Sequence, residues 1–210
     1  MPDDTLPSAL NNCTAIVLAG GQSRRMGRDK ASLPFADSTL LHTVIQQLQP
    51  WFSHILLSVQ QPIPACDYPQ ISDTTPHAGP LAALVDALAH VETSWAFVTA
   101  CDMPFVNPAL ISALAKRRSS QQAVIADIDG HWQPFAAFYA KNSLPILHNA
   151  LQSGEHSLTN ALRRLNPACV SAKDLRDADP ALRSFIDIDT PDDWLRHHIP
   201  IASPTQDTTS

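Results

Sequence analysis

The sequence predicts an α/β fold, a mostly parallel central sheet with helices on both faces. Three observations carry this. Short apolar runs rich in β-branched residues recur through the first half of the chain, at residues 14–19, 54–59 and 95–100. Segments with helical periodicity stand between them. The helical segments open on capping residues or proline, at Ser38-Thr39, Gly79-Pro80 and Asn107-Pro108. Strands alternating with helices give parallel strands joined by crossovers, which must cover both faces of the sheet.

Taken in order, Thr14-Ala15-Ile16-Val17-Leu18-Ala19 stops at Gly20-Gly21 and reads as a strand buried on both faces. A polar loop then reaches Lys30. Ser38 or Thr39 caps a helix running to about Gln49, with Leu40, Leu41, Val44, Ile45 and Leu48 on one face. His54 to Val59 is a second strand. Gly79-Pro80 opens a helix that ends near His90. Trp95 to Ala100 is a third strand and runs into Cys101-Asp102-Met103-Pro104. Asn107 caps a helix with Pro108 at its first position, ending in Lys116-Arg117-Arg118, where positive charge suits the helix dipole. Ala123 to Ala126 and Phe135 to Tyr139 are strands around an Asp129-Gly130 turn. Helices are expected over 142–152 and 157–165, a short strand over 184–188, and a last helix from Pro191. Residues 1–12 are expected to be flexible, 13–199 to form one domain, and 200–210 to be a disordered tail.

Composition narrows the function. A net charge of −6 over 210 residues argues against an extended nucleic-acid surface. The four cysteines are scattered, with no CxxC pair, so neither a zinc site nor a disulfide framework is expected. No leader pattern and no apolar stretch near ~20 residues is visible, so no membrane association is expected and the cytoplasm is the expected compartment. The nine histidines form no ligand spacing, and Ser23 and Ser157 lack a His–Asp arrangement for hydrolase chemistry. Cys101 reads as a packed thiol.

Ligands of open α/β sheets bind beyond the carboxyl ends of the strands. The first such end carries Gly20, Gly21, Ser23, Arg24, Arg25, Gly27, Arg28, Asp29 and Lys30. Glycines let backbone N–H groups approach an anion, and the guanidinium and ammonium groups add charge-assisted hydrogen bonds to phosphate oxygens. The string is neither GxGxxG nor a Walker A loop. The third strand end carries Asp102, a hard oxygen ligand suited to Mg²⁺. Asp187 and Asp189 flank Ile188, and period-2 alternation puts both carboxylates on one face. They read either as a second metal contact or, for Asp189, as a cap of the last helix, the reading favoured there; Asp187 is left open. Together these residues point to a loop that grips a nucleoside triphosphate with Mg²⁺ on Asp102.

The run from Leu18 to Lys30, LAGGQSRRMGRDK, fills every fixed position of the LAGGxSxRMGxDK signature and resembles the molybdenum cofactor guanylyltransferases. The likeness continues in order through Gly79-Pro80-Leu81-Ala82, Cys101-Asp102-Met103-Pro104-Phe105, Gln133-Pro134-Phe135, Gly154-Glu155 and Asp189-Thr190-Pro191-Asp192-Asp193. The resemblance implies a three-layer Rossmann-like nucleotidyltransferase fold that transfers GMP from GTP to the terminal phosphate of molybdenum-molybdopterin, releasing pyrophosphate. It implies nucleotide contacts at Leu18, Ala19, Gly20, Gly21, Lys30, Ser58, Asp73 and Asp102, with Mg²⁺ on Asp102. Arg25, Lys30 and Asp102 would be the catalytic residues. It also implies transient contact with the proteins that supply molybdopterin. Two positions depart from the family: Ser58 stands where it has Asn, and Asp187-Ile188-Asp189 replaces its NxN, as in the related cytidylyltransferases. Gly20-Gly21, Gly79-Pro80-Leu81 and Cys101 point back to guanine. The competing readings are cytidylyl transfer to the same pterin, nucleotidyl transfer to a sugar phosphate, and a non-catalytic nucleotide-binding regulatory module.

Overall fold

The computed structural model describes residue 10 and residues 12–20, 30–64, 66–72 and 79–198. Of the expected terminal segments, 1–12 and 200–210, residues 1–9, 11 and 200–210 lie outside the described residues.

Among the described residues, seven strands form one sheet: β1 (Cys13–Leu18), β4 (His54–Val59), β5 (Gln70–Ser72), β6 (Trp95–Ala100), β7 (Ala123–Ile128), β8 (His131–Ala140) and β9 (Ala168–Ser171). A separate two-stranded ribbon joins β2 (Pro34–Phe35) to β3 (Ser38–Thr39). The sheet order is β5-β4-β1-β6-β8-β7-β9. Of these seven described strands only β8 runs against its neighbours, so the sheet is mostly parallel as expected.

Helices cover both faces, giving three layers. On one face lie α1 (Leu40–Leu48), α3 (Pro108–Ala115) and α6 (Ala172–Leu175). Leu41, Val44 and Ile45 of α1 and Leu110, Ile111 and Leu114 of α3 pack there with Val17, Leu57, Phe97 and Phe138. On the other lie α2 (Pro80–Ala89), α4 (Leu144–Gln152) and α5 (Leu158–Leu162), which bury Leu81, Leu84, Leu88, Leu147 and Leu162 against Ile16, Leu56, Val98 and Tyr139. Burying each Leu or Phe is worth about 1.5–3 kcal/mol. This two-sided burial is why the central strands read as unbroken apolar runs.

The helix starts follow the capping chemistry. Thr39 accepts from the His42 N–H, and Asn107 accepts from the Ala109 N–H. Gly79, before α2, has φ 89°, a left-handed value that favours glycine. Asp129 and Gly130 both have positive φ, as a two-residue hairpin turn requires.

One expectation fails. Residues 184–188 form no strand; Arg183–Phe185 is a 3₁₀ turn. The buried Asp179 carboxylate accepts from the N–H groups of Arg183 and Ser184, which removes them from any ladder. The last helix, α7 (Pro191–His198), does begin at Pro191.

β8 carries an irregularity at the carboxyl edge of the sheet. Its pairing with β7 jumps from Val124↔Phe138 to Ala126↔Gln133, so Ile125 faces the whole stretch from Pro134 to Ala137. Pro134 cannot donate to a ladder, and Ala136 sits at φ 51°. The fully buried Tyr139 donates its hydroxyl to the Pro134 carbonyl at 2.7 Å, clamping the bulge. Tyr139→Phe should therefore lower stability by about 1 kcal/mol in urea unfolding without changing the slope. An unchanged midpoint would mean that this bond does not hold the bulge.

Candidate active site

The ends of β1, β4 and β6 are locked level by backbone bonds that outrun the strands. The Ala19 N–H donates to the Ser58 carbonyl at 2.7 Å, and the Cys101 N–H donates to the Leu18 carbonyl at 3.0 Å. Leu18, Ala19 and Gly20 thus stand between Ser58 on one side and Cys101-Asp102 on the other. Ser58 is itself buried, at 1% exposure, so its carbonyl sets the position of Ala19 from within the sheet edge. Gly21, Arg25 and Asp73 lie outside the described residues, as does the rest of 21–29.

Lys30 returns the chain to this edge. Its ammonium donates to the Asp102 carboxylate at 2.7 Å and also to Asp189. Burial alone would lower the Lys30 pKa; the Asp102 carboxylate, and then Asp189, more than offset it and hold the ammonium above its ordinary value. Asp187 joins the group at its rim. Desolvation pushes its carboxyl up, and the charges of Asp189 and Asp102 push it further.

Asp189 reaches Lys30 because it does not cap α7. Thr190 does: its hydroxyl accepts from the Asp193 N–H, and the Asp193 carboxylate accepts from the Thr190 N–H and hydroxyl. This reciprocal box corrects the reading of Asp189 as the cap. The alternation around Ile188 was the signal that could have found the Lys30 contact. Ile188 is fully buried with Leu33, Phe35 and Leu40, which leaves its flanking carboxylates outside that cluster. The Ile188 N–H donates to the Asp102 carbonyl at 2.8 Å, tying the two acidic segments together.

Among the described residues, no three His, Cys, Asp or Glu side chains are arranged to hold a metal ion. Mg²⁺ does not need three: it takes one or two carboxylates and completes its shell with phosphate and water. Asp102 and Asp189, already sharing one cation, suit that requirement.

A lysine and two carboxylates converging at the carboxyl edge of a three-layer α/β sheet suit the nucleotidyltransferase class. Comparison with known proteins agrees. Residues 15–169 match the family described as the MobA-like NTP transferase domain. A probable molybdenum cofactor guanylyltransferase from Methanosarcina mazei is 33% identical over 86% of this chain and 87% of its own length. A molybdenum cofactor guanylyltransferase from Pseudomonas putida is 30% identical over 86% of this chain and 96% of its own. The crystal structure of molybdopterin-guanine dinucleotide biosynthesis protein A from Archaeoglobus fulgidus superposes with a TM-score of 0.78 at 28% identity, covering 88% of this chain and 96% of that one. The chain belongs to the MobA-like molybdenum cofactor guanylyltransferase family. Among the described residues, no helix is long and apolar enough to cross a membrane.

Proposed function

We propose that the protein transfers GMP from GTP to the terminal phosphate of molybdenum-molybdopterin, in the cytoplasm and with Mg²⁺. The observation that carries this reading is the convergence of Lys30, Asp102 and Asp189 at the edge built by Leu18, Ala19 and Gly20, in a chain whose relatives bear that name. A phosphate oxygen of the acceptor attacks the α-phosphorus of GTP. The bond to the β-phosphate breaks and pyrophosphate leaves. The nucleophile is already anionic, so no strong general base is required, and catalysis is positioning plus charge stabilisation. Lys30, with Arg25, holds the leaving pyrophosphate. Asp102, with Asp189 beside it, would hold Mg²⁺, which neutralises charge at the phosphates. Leu18, Ala19, Gly20, Gly21, Ser58 and Asp73 form the nucleoside side.

The test is a thermal-shift series with GTP, CTP, ATP and UTP plus Mg²⁺, since a ligand that binds only the native state raises the melting temperature. GTP should stabilise most, with pyrophosphate released once the acceptor is added. Asp187 and Asp189 favour one second reading, cytidylyl transfer. A larger shift with CTP would establish it in place of the first.

A further inference from the structure

Transfer at Asp102 needs a second substrate, and the nucleotide reading leaves one flank of the site unassigned. β6, which leads into Asp102, lies between β1 on one side and β8 on the other. The phosphate loop and the nucleoside side belong to β1, β4 and the start of α2. In-line displacement requires the nucleophile to enter opposite the leaving pyrophosphate. β8 flanks β6 on the side away from β1, and its bulged stretch continues from the Val98–Ala137 pair toward the end of β6 that leads into Asp102.

That stretch is built at a cost. An Asp-Gly turn alone would close the β7–β8 hairpin, yet β8 inserts Pro134 to Ala137 opposite Ile125 and holds Ala136 in the left-handed region. Bulges of this kind re-aim side chains beside active sites. Just before the bulge stands Trp132, half-buried. The Arg163 guanidinium lies over its ring, 5.1 Å from the centroid. Arg163 is exposed and sits at the end of α5. That helix starts after His156, whose carbonyl lies 3.7 Å from where a Gly79 Cβ would stand. Thus α5 runs from the start of α2, on the nucleoside side, to Trp132.

We propose that Trp132 and Arg163 form the acceptor subsite, stacking a fused heteroaromatic ring and drawing its phosphate monoester toward Asp102. An indole with a planar guanidinium on it extends a π-stack and supplies one positive charge beside an anion. A flat ring carrying a phosphate matches both. The inference rests on the reaction proposed above.

The experiment compares wild type with Trp132→Phe, Trp132→Ala and Arg163→Gln. Two acceptor readouts are used: the acceptor KM from pyrophosphate release, and quenching of 6-hydroxymethylpterin phosphate fluorescence as a direct binding probe. The GTP-induced thermal shift is the control. Trp132→Ala should weaken both acceptor readouts by about 5- to 100-fold, the range of aromatic stacking on a base. Trp132→Phe should restore most of the loss, and Arg163→Gln should weaken the probe in a salt-dependent way. The GTP shift should not move. Unchanged acceptor readouts in Arg163→Gln and in either Trp132 variant that melts cooperatively would reduce the pair to a structural contact and overturn the proposal. Parallel loss of GTP and acceptor would overturn it too. A wild type that binds the probe but releases no pyrophosphate would sink the reaction and leave the subsite standing.

Discussion

Asp102→Asn should reduce turnover by about 100- to 1,000-fold at saturating GTP while the protein still melts cooperatively. The amide keeps the shape of the carboxylate but is a far poorer ligand for a hard cation. The fold should tolerate the change because the local scaffold uses the Asp102 backbone, whose carbonyl accepts from Ile188. Lys30 would still have Asp189. Pyrophosphate release across a Mg²⁺ titration, beside thermal unfolding, checks both halves. Wild-type turnover at limiting Mg²⁺ would remove Asp102 from the metal site.

Lys30→Ala is expected to weaken GTP and CTP binding by a similar factor, about 10- to 100-fold, which is the worth of a hydrogen bond to a charged group. An ammonium reads charge, and charge is the same in the two nucleotides. GMP, with fewer phosphate oxygens, should lose less. Arg25→Ala should follow the same pattern. The Lys30 ammonium bridges Asp102 and Asp189. Its move to a triphosphate must therefore leave two carboxylates in need of a cation, so Mg²⁺ and nucleotide should bind cooperatively. Calorimetric titration with GTP, GMP and CTP, with and without Mg²⁺, measures this. Loss of GTP alone, with CTP untouched, would mean that Lys30 reads the base.

The sequence carried the central strands and the larger helices because their signals are local. β1, β4 and β6 are buried on both faces and need no partner to be recognised. Thr39, Pro80 and Asn107 mark their helices by chemistry within one turn. The edge strands were not legible. β5 has three residues, none buried, and β9 buries only Val170; pairing with β4 and β7 defines them. The two-residue strands β2 and β3 are likewise set by each other. The candidate site divided along the same line. Lys30 and Asp102 were legible from their strand ends. The Asp189 contact was not, because Lys30 and Asp189 are 159 residues apart and Thr190 had first to take over the cap.

The last helix is fastened to the early ribbon. Trp194 donates its indole N–H to the Pro34 carbonyl at 2.7 Å. Phe105 packs edge-on to Phe35 at 5.7 Å and against His197 at 5.3 Å, with Arg183 over its ring at 4.6 Å. Lys30 precedes every strand of the sheet but β1, whereas Asp189, which completes its ion-pair bridge, follows the last strand, β9. A chain folded through β9 has the Lys30–Asp102 pair but lacks Asp189, and has no α7 to brace the ribbon. Truncation between β9 and Asp187 should therefore remove the second carboxylate at Lys30 while sparing every strand of the sheet.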